Sequence, residues 1–278
     1  TACKWNGAFF IPAFAGLVIA WDLGARRAAG YSGRLAGVAR SDGPWLPAWF
    51  ILTPAVVYIA SWTGWFATSY GYNRNGAALN HGHVTGTLTA WLDYNRWMLQ
   101  FGLGLSSGQT YKSNPLGWLV LARPISFYSQ CTKPCGSATE QEVLAIGTPL
   151  IWWGATAALA VCLGWWLLRR DWRAGAALLG VAAGWLPWIW FYWHDHRTEF
   201  YYYAIAFEPF LIIAITLCLG LIIGAQRASP ARRAAGAIAA GAYMIAVLAN
   251  FAYLYPILAA RIIPYSAWLS RMWFHSWI

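Results

Sequence analysis

The hydropathy pattern of this 278-residue chain consists of long apolar runs separated by shorter polar links. Each run is close to the roughly 20 residues that a helix needs to cross a hydrocarbon core about 30 Å thick. The runs cover residues 6–21, 45–67, 147–168, 174–193, 200–224 and 234–255. The pattern therefore predicts six transmembrane helices.

Composition supports this interpretation. Hydrophobic residues make up 59% of the chain and charged residues only 10%, whereas a soluble domain carries about 25% charged residues. The chain is therefore predicted to be an all-α polytopic membrane protein. The net charge of +10 is attributed to membrane topology and anionic lipids rather than to nucleic acid.

Arginines concentrate in the links that follow the first, third and fifth predicted spans. They are Arg26, Arg27, Arg34, Arg40, Arg169, Arg170, Arg173, Arg227, Arg232 and Arg233. Because Lys and Arg in short loops favour the cytoplasmic side, these links are predicted to lie inside the cell. The segment 69–146 and the tail 256–278 then lie outside the plasma membrane. The link from Asp22 to Gly43 is expected to form an amphipathic helix on the inner surface.

Four regions follow from this topology. Residues 1–68 hold two spans and a basic link, residues 69–146 form a long extracytoplasmic loop, residues 147–255 hold four spans, and residues 256–278 form the tail. Such a long loop is expected to contain structure of its own, and residues 85–103 have helical periodicity. Because the chain starts at Thr1, predicted to be outside, without an initiator Met or leader pattern, we expect further sequence upstream.

Two groups of residues raise the question of disulfide or metal chemistry. Cys131 and Cys135 lie in the predicted extracytoplasmic loop, where a short-range disulfide is favoured over a zinc half-site. The pairs His81/His83 and His194/His196 have no clear third and fourth ligand, so interfacial histidines are favoured and no metal is predicted.

The segment 194–210 carries six ionisable residues between two apolar runs. Charged groups at a membrane boundary indicate a functional site by default. Arg197 is predicted at the outer rim, where its partner is a phosphate, a carboxylate or a lipid headgroup. Glu199 either orients Arg197 or an acceptor, or is solvated at the rim. Glu208 is placed about 13 Å deep in its span, counted from Glu199, either as a buried carboxylate tied to another helix or in a direct role.

Several segments taken in order resemble the C-terminal half of the protein O-mannosyltransferase family, in particular its actinobacterial members. They are Cys3 to Gly7, Tyr111 to Trp118, Arg123 to Tyr128, Arg197 to Pro209, Ile263 to Trp268 and Met272 to Phe274. The resemblance covers nearly the whole chain. It implies part of a GT-C type membrane glycosyltransferase with a structured extracytoplasmic loop.

The resemblance implies transfer of mannose from polyprenyl-phosphate mannose to Ser or Thr hydroxyls of exported proteins. Departure of a phosphate needs cations, for which Arg197, Arg123 and Lys112 are the candidates. The family's catalytic Asp-Glu pair is expected upstream of Thr1, so this chain alone is predicted to be inactive. No cofactor is implied. Expected partners are the lipid-linked donor, the exported acceptor and membrane lipids, with export machinery as a further candidate.

Two alternatives remain open at this stage. One is a transferase of another lipid-linked sugar, such as an arabinose unit. The other is a transporter, in which Glu208, Arg197 and Asn250 would line a path. The concentration of charge at one face favours the transferase.

Overall fold

The computed structural model describes residues 5–74, 83–106, 108–132, 135, 136 and 138–278. The chain divides into two compact units, Thr1–Ser106 and Ser107–Ile278. The boundary lies inside the segment that the hydropathy pattern assigns to one long loop.

The first unit is entirely helical over its described residues. A 3-10 helix, Trp5–Phe9, leads into α1, and a π-helical turn, Ala48–Leu52, leads into α3. The α-helices are α1 (Phe10–Ala28), α2 (Arg34–Ser41), α3 (Thr53–Ser61), α4 (Thr63–Ala67) and α5 (His83–Gly104). Helix α5 confirms the helical periodicity read over residues 85–103.

A sharp turn separates α1 from α2. The amide of Gly30 donates to the carbonyl of Arg27 at 3.2 Å, and the amide of Tyr31 donates to the carbonyl of Arg26 at 3.0 Å. This is the Schellman pattern, in which the residue after the helix adopts a left-handed conformation. Gly30 has φ 78°, which glycine adopts without steric cost. The turn therefore ends α1 and starts α2 close beside it.

The second unit is built on four helices, α6 (Pro149–Arg169), α7 (Trp172–His194), α8 (Glu208–Ile223) and α9 (Pro230–Leu258). Helix α8 packs against each of the other three. Small residues allow this close approach: Gly180 of α7 faces the Phe210 ring, and a Cβ there would overlap it. The bundle core is therefore centred on α8.

A small antiparallel sheet and the tail complete the second unit. The strands β1 (Ile125–Cys131), β2 (Thr139–Ala145) and β3 (Ile263–Pro264) pair in the order β1-β2-β3. Short 3-10 helices cover Pro115–Val120, Tyr201–Ala206 and His275–Trp277, and α10 covers Tyr265–Leu269. Because β3 pairs with β2, the tail is held against the hairpin rather than extending away from the bundle.

The structure places helix in all six regions where spans are predicted. Among the described residues, four helices are long and apolar enough to cross a membrane: Asn6–Ala28, Pro149–Arg169, Trp172–His194 and Pro230–Leu258. The apolar helices Ala48–Ser61 and Glu208–Ile223 are shorter. The molecule is predominantly helical, as predicted, and the three-stranded sheet is an addition that the hydropathy pattern did not indicate.

The predicted start of the fifth span was wrong. Residues 201–206 form a separate 3-10 helix, and the α-helix begins at Glu208 rather than at residue 200. Pro209 explains this boundary, because proline lacks an amide hydrogen and is tolerated in the first helical turn. Glu208 therefore lies at a helix N-terminus, where a negative charge is favourable, and not two turns inside a span.

Candidate functional site

Arg197 and Glu199 lie in the short connection between the end of α7 and the 3-10 helix Tyr201–Ala206. His196 turns the chain here with φ 48°. The Nη1 atom of Arg197 lies 3.5 Å from Oε1 of Glu199, and their side chains are 11% and 0% exposed. The alternative of a solvated Glu199 was therefore wrong, and the carboxylate is placed to orient Arg197.

An aromatic pair packs around the Arg197 guanidinium. Its central carbon lies 5.1 Å from the centre of the Trp188 ring and 5.8 Å from that of Tyr203. The two rings contact each other with centroids 4.7 Å apart. Cations are attracted to the faces of aromatic rings, most strongly where water is excluded. The side chain of Arg197 is thus held by two rings and a carboxylate.

The segment 111–120 docks beside this pair through hydrogen bonds. The amide of Ser113 donates to the carbonyl of Glu199 at 2.9 Å, and the Ser113 hydroxyl accepts from Nε1 of Trp118 at 2.9 Å. Trp118 lies edge-on to Tyr203 at 6.3 Å and is 1% exposed. Ser113 and Trp118 are therefore part of the core, although they lie far from Glu199 in the sequence.

The next residue back along this segment, Lys112, lies at the same end of α7. Its Nζ atom lies 5.4 Å from the centre of the Tyr192 ring, and its side chain is exposed. Tyr192 follows Trp188 by one helical turn, so Lys112 and Arg197 both pack against the last turns of α7. Two of the three predicted phosphate partners thus contact aromatic rings of the same end of α7.

Arg123 has different surroundings. Its guanidinium donates to the carbonyls of Ser276 at 2.6 Å, Ile278 at 3.1 Å and Thr110 at 3.2 Å. Beside it, Trp277 donates to the carbonyl of Leu121 at 2.7 Å. These bonds hold the tail against the loop, which is a structural role. The expected phosphate contact of Arg123 stays a prediction.

The transporter alternative also names Asn250 and Glu208, which the structure places on two different helices. The side-chain oxygen of Asn250 accepts from the amide of Leu150 at 3.1 Å and so ties α9 to the first turn of α6. Glu208 is half-buried at the start of α8. The described geometry of these residues therefore gives no support to the transporter alternative.

The sequence did not predict the two buried carboxylates on β2. Glu140 and Glu142 are 8% and 6% exposed, and Oε2 of Glu142 accepts from Nε1 of Trp268 at 2.6 Å. Burial raises the pKa of Glu142 above its ordinary value, whereas hydrogen bonds from Trp268 and Ser126 oppose the rise. Charged residues at alternate strand positions usually indicate a solvent-facing side, so the sequence offered no signal of this burial.

The structure gives the surroundings of both cysteines in the loop and of His194. The structure joins Cys131 and Cys135 in a disulfide, with Cα atoms 5.2 Å apart. His194 stacks on Trp190 with ring centroids 3.5 Å apart. His81 and the side chain of His83 lie outside the described residues. Over the described residues, no group of three or more His, Cys, Asp or Glu side chains is arranged to hold a metal ion.

Comparison with protein families gives a match over most of this second unit and the end of the first. A model of the C-terminal four TMM region of protein-O-mannosyltransferase matches residues 87–277. The chain belongs to the protein O-mannosyltransferase family. The family match includes Lys112, Arg123, Arg197, Glu199 and Glu208.

Curated relatives within this family come from actinobacteria. Each is named polyprenol-phosphate-mannose--protein mannosyltransferase, and each match covers 99% of this chain and 55% of the relative. The identity is 33% for Mycobacterium tuberculosis, 32% for Mycolicibacterium smegmatis and 30% for Corynebacterium glutamicum. The chain therefore spans about half the length of the protein mannosyltransferases it matches.

A solved structure supports the fold of the family member described here. The structure of the S. cerevisiae protein O-mannosyltransferase Pmt1-Pmt2 complex, bound to the sugar donor, aligns with a TM-score of 0.56 at 18% identity. The alignment covers 69% of this chain and 27% of the yeast chain. This agreement supports the predicted helical membrane fold.

Proposed function

We propose that this chain is the C-terminal membrane region of an enzyme that transfers mannose from polyprenyl-phosphate mannose to Ser or Thr hydroxyls of exported proteins. The observation that carries the proposal is the 33% identity, over 99% of the chain, to an actinobacterial enzyme named for this donor and this class of acceptor. Because the chain spans about half of that relative, the activity belongs to the longer protein.

The reaction is a single displacement at the sugar carbon. A carboxylate takes the proton of the acceptor hydroxyl, the hydroxyl oxygen forms a bond to the sugar carbon, and the bond to the phosphate oxygen breaks with inversion. The polyprenyl phosphate leaves with an additional negative charge. Cations held at that oxygen stabilise the transition state more than the ground state.

Within this chain, we assign the phosphate-binding role to Lys112 and Arg197. Lys112 is exposed, and its ammonium is held over Tyr192 at the end of α7. Arg197 lies at the same end, where Glu199 and two aromatic rings limit its motion. A cation fixed before the reaction needs little rearrangement when charge develops, which favours catalysis. Glu199 is assigned as the positioning residue for Arg197.

The activity can be tested in a chimera. This chain would replace the corresponding region of the M. smegmatis relative, and mannose transfer from polyprenyl-phosphate mannose to a Ser/Thr peptide would be measured in membranes. We expect transfer by the chimera and none with polyprenyl-phosphate arabinose. An inserted, intact chimera that uses only the arabinose donor would instead establish the alternative transferase, and one inactive with both donors beside an active parent would contradict the proposal.

The phosphate-binding role has its own test in the same chimera. Lys112→Ala should lower kcat/KM for the donor by about ten- to a hundredfold, because a bond to a charged group is lost. The matched control is Arg261→Ala, which removes an exposed cation from the tail. Equal losses in both variants would show that net charge, and not the position of Lys112, matters.

We also propose that the site faces the outside of the plasma membrane and that the arginine-rich links face the cytoplasm. The exposed residue His194 ends α7 and the exposed residue Gln226 follows α8, at opposite predicted sides. A membrane-impermeant maleimide should label His194→Cys in intact cells and Gln226→Cys only after lysis, relative to the parent chain. Labelling of both in intact cells would refute this topology.

A further inference from the structure

A basic groove lies between the end of α1 and the start of α2, in the first unit. It has a volume of about 580 Å³, and the residues that line it include Leu23, Arg27, Ser32, Arg34 and Leu35. Mannosyl transfer, as proposed above, makes no use of these residues. The groove therefore needs a separate explanation.

The charge of the groove is strongly positive. Arg26, one residue before Arg27, is neutralised by Asp22 at 2.7 Å and also donates to the Ser41 hydroxyl at 2.8 Å. Within the part of the chain that the structure describes, Arg27 and Arg34 take part in no ion pair. Two guanidinium groups without a carboxylate on one groove attract an anion.

The groove is held in shape by its surroundings. The Gly30 turn fixes the exit from α1, and Arg26 bridges α1 to Ser41 at the end of α2. Gly37 allows this contact, because a Cβ there would overlap the Arg26 guanidinium. Arg27 and Arg34 are thus attached to two helices whose relative position is set before any ligand binds, which lowers the entropic cost of binding.

The apolar side of the groove points to the kind of anion. Leu23 and Leu35 line the groove, and Leu35 is 74% exposed. Earlier on α1, the side chains of Trp21 and Val18 are 51% and 40% exposed, and none of the hydrophobic window of the span is buried in the protein. A ligand with a phosphate next to long acyl chains would satisfy both the arginines and this apolar surface.

We propose that this groove is a binding site for the headgroup of an anionic phospholipid. The phosphate diester is bound by the guanidinium groups of Arg27 and Arg34, with Ser32 as a further hydrogen-bond donor, and the acyl chains follow α1. A guanidinium presents two parallel donors that match two phosphate oxygens. The site requires α1 to lie in the membrane, and it does not depend on the proposed transferase activity.

The experiment is native mass spectrometry of the full chain with an equimolar mixture of phosphatidylglycerol and phosphatidylcholine. We expect retention of phosphatidylglycerol, and a loss of roughly tenfold or more in its binding to the Arg27→Gln/Arg34→Gln variant. The matched control is Arg40→Gln, which removes an exposed cation from α2 outside the groove. This control should bind the lipid as the parent chain does.

Three results would contradict the proposed lipid site. Unchanged lipid binding by the double variant, or an equal loss in Arg40→Gln, would show that the groove is not the binding position. Inorganic phosphate that competes as well as phosphatidylglycerol would show a site for free phosphate rather than for a lipid. Since both arginines are exposed, circular dichroism should show the parent helicity, and the single variants repeat the test if the double variant is poorly folded.

Discussion

The two compact units use apolar residues in different ways. Among the described residues of the first unit, the buried apolar side chains are Val38 and Ala90, whereas the second unit buries Trp118, Trp152, Phe207, Leu211 and many others. No part of the hydrophobic window of the first span is buried, compared with 28%, 39% and 22% for the windows in α6, α7 and α9. Helices of similar hydropathy are thus unburied in the first unit and partly buried in the second.

This difference shows what hydropathy measures in a membrane protein. A hydrocarbon bilayer and a protein core accept the same apolar side chains, so the period and length of a run do not distinguish them. Close packing at small residues distinguishes a protein core from the bilayer. Helices α7 and α8 approach closely at Gly180, whereas Gly16 and Gly24 of α1 have no atoms within 4 Å of an added Cβ. Substitutions should therefore cost much more in the second unit.

The largest difference is expected between two tryptophans. Trp118 is 1% exposed in the second unit and Trp49 is 64% exposed in the first. Trp118→Ala should destabilise the chain by about 3–5 kcal/mol because it leaves a cavity, whereas Trp49→Ala should have little effect. Reaction of the buried Cys162 thiol with a fluorogenic maleimide during heating measures unfolding. Equal changes in the unfolding temperature of the two variants would contradict the difference in burial between the two units.

Two ion pairs with the same separation give the next largest difference. Arg197–Glu199 and Arg96–Asp93 are both separated by 3.5 Å, but the first is nearly buried and the second has side chains 75% and 54% exposed. Glu199→Gln should cost about 3 kcal/mol, because a buried guanidinium loses its carboxylate, whereas Asp93→Asn should cost very little. The same thermal assay applies.

A double-mutant cycle controls this prediction. Arg197→Met combined with Glu199→Gln should cost less than the sum of the single variants, because the double variant leaves no unpaired charge. Additive costs would show that Glu199 does not act through Arg197, and would also weaken its assignment as a positioning residue.

A smaller effect is expected at the turn after α1. Gly30 has φ 78°, so Gly30→Ala should destabilise the turn by about 1 kcal/mol. Gly16→Ala, inside α1 with open space around it, should instead stabilise the helix slightly. The rate of trypsin cleavage between residues 27 and 34 measures local opening. Faster cleavage in Gly16→Ala than in Gly30→Ala would contradict the assigned turn.

The smallest effect concerns the pH dependence of the stability of the second unit. Burial raises the pKa of Glu142 in the folded protein, so the folded state binds its proton more tightly than the unfolded state does. The resulting contribution to stability is present at pH values below the ordinary pKa of glutamate and is lost as the pH rises through the folded pKa. Glu142→Gln should therefore gain stability relative to the parent chain as the pH rises above about 4, the ordinary pKa of a glutamate side chain.

Trp268→Phe sharpens this last test. It removes the hydrogen bond that lowers the pKa of Glu142, so stability should fall more steeply with rising pH than in the parent chain. Parallel pH profiles for all three proteins would show that Glu142 does not contribute.

Much of the fold could be predicted because its signals are local. The apolar runs marked six helical regions, and periodicity marked α5. The start of α8 was missed because residues 201–206 are all aromatic or aliphatic and were therefore joined to the apolar run of the helix that follows. The sheet was missed because β3 supplies two residues from the tail, and pairing between residues 140 and 263 has no local signal.

The candidate site was predicted in part. Arg197 and Glu199 were selected because charge at a membrane boundary is costly, and Lys112 was selected because departure of a phosphate needs cations. The structure places all three at the end of α7. The rings around Arg197 were not selected, since tryptophan and tyrosine are frequent throughout this chain and are mostly interpretable as interfacial. Arg123 was selected by the same argument as Arg197, but its hydrogen bonds join it to the tail.

The sequence by itself determined that this protein is helical and membrane-embedded, that its arginines concentrate in alternate links, and to which family it belongs. These properties follow from the hydrophobicity and charge of successive residues and from their order along the chain. Only the tertiary structure decided which carboxylates are buried, which of several cations lie together and which apolar helices have a protein core to pack against. Those outcomes depend on contacts between residues far apart in sequence, where the free energy of burial is set by neighbours that no local pattern specifies.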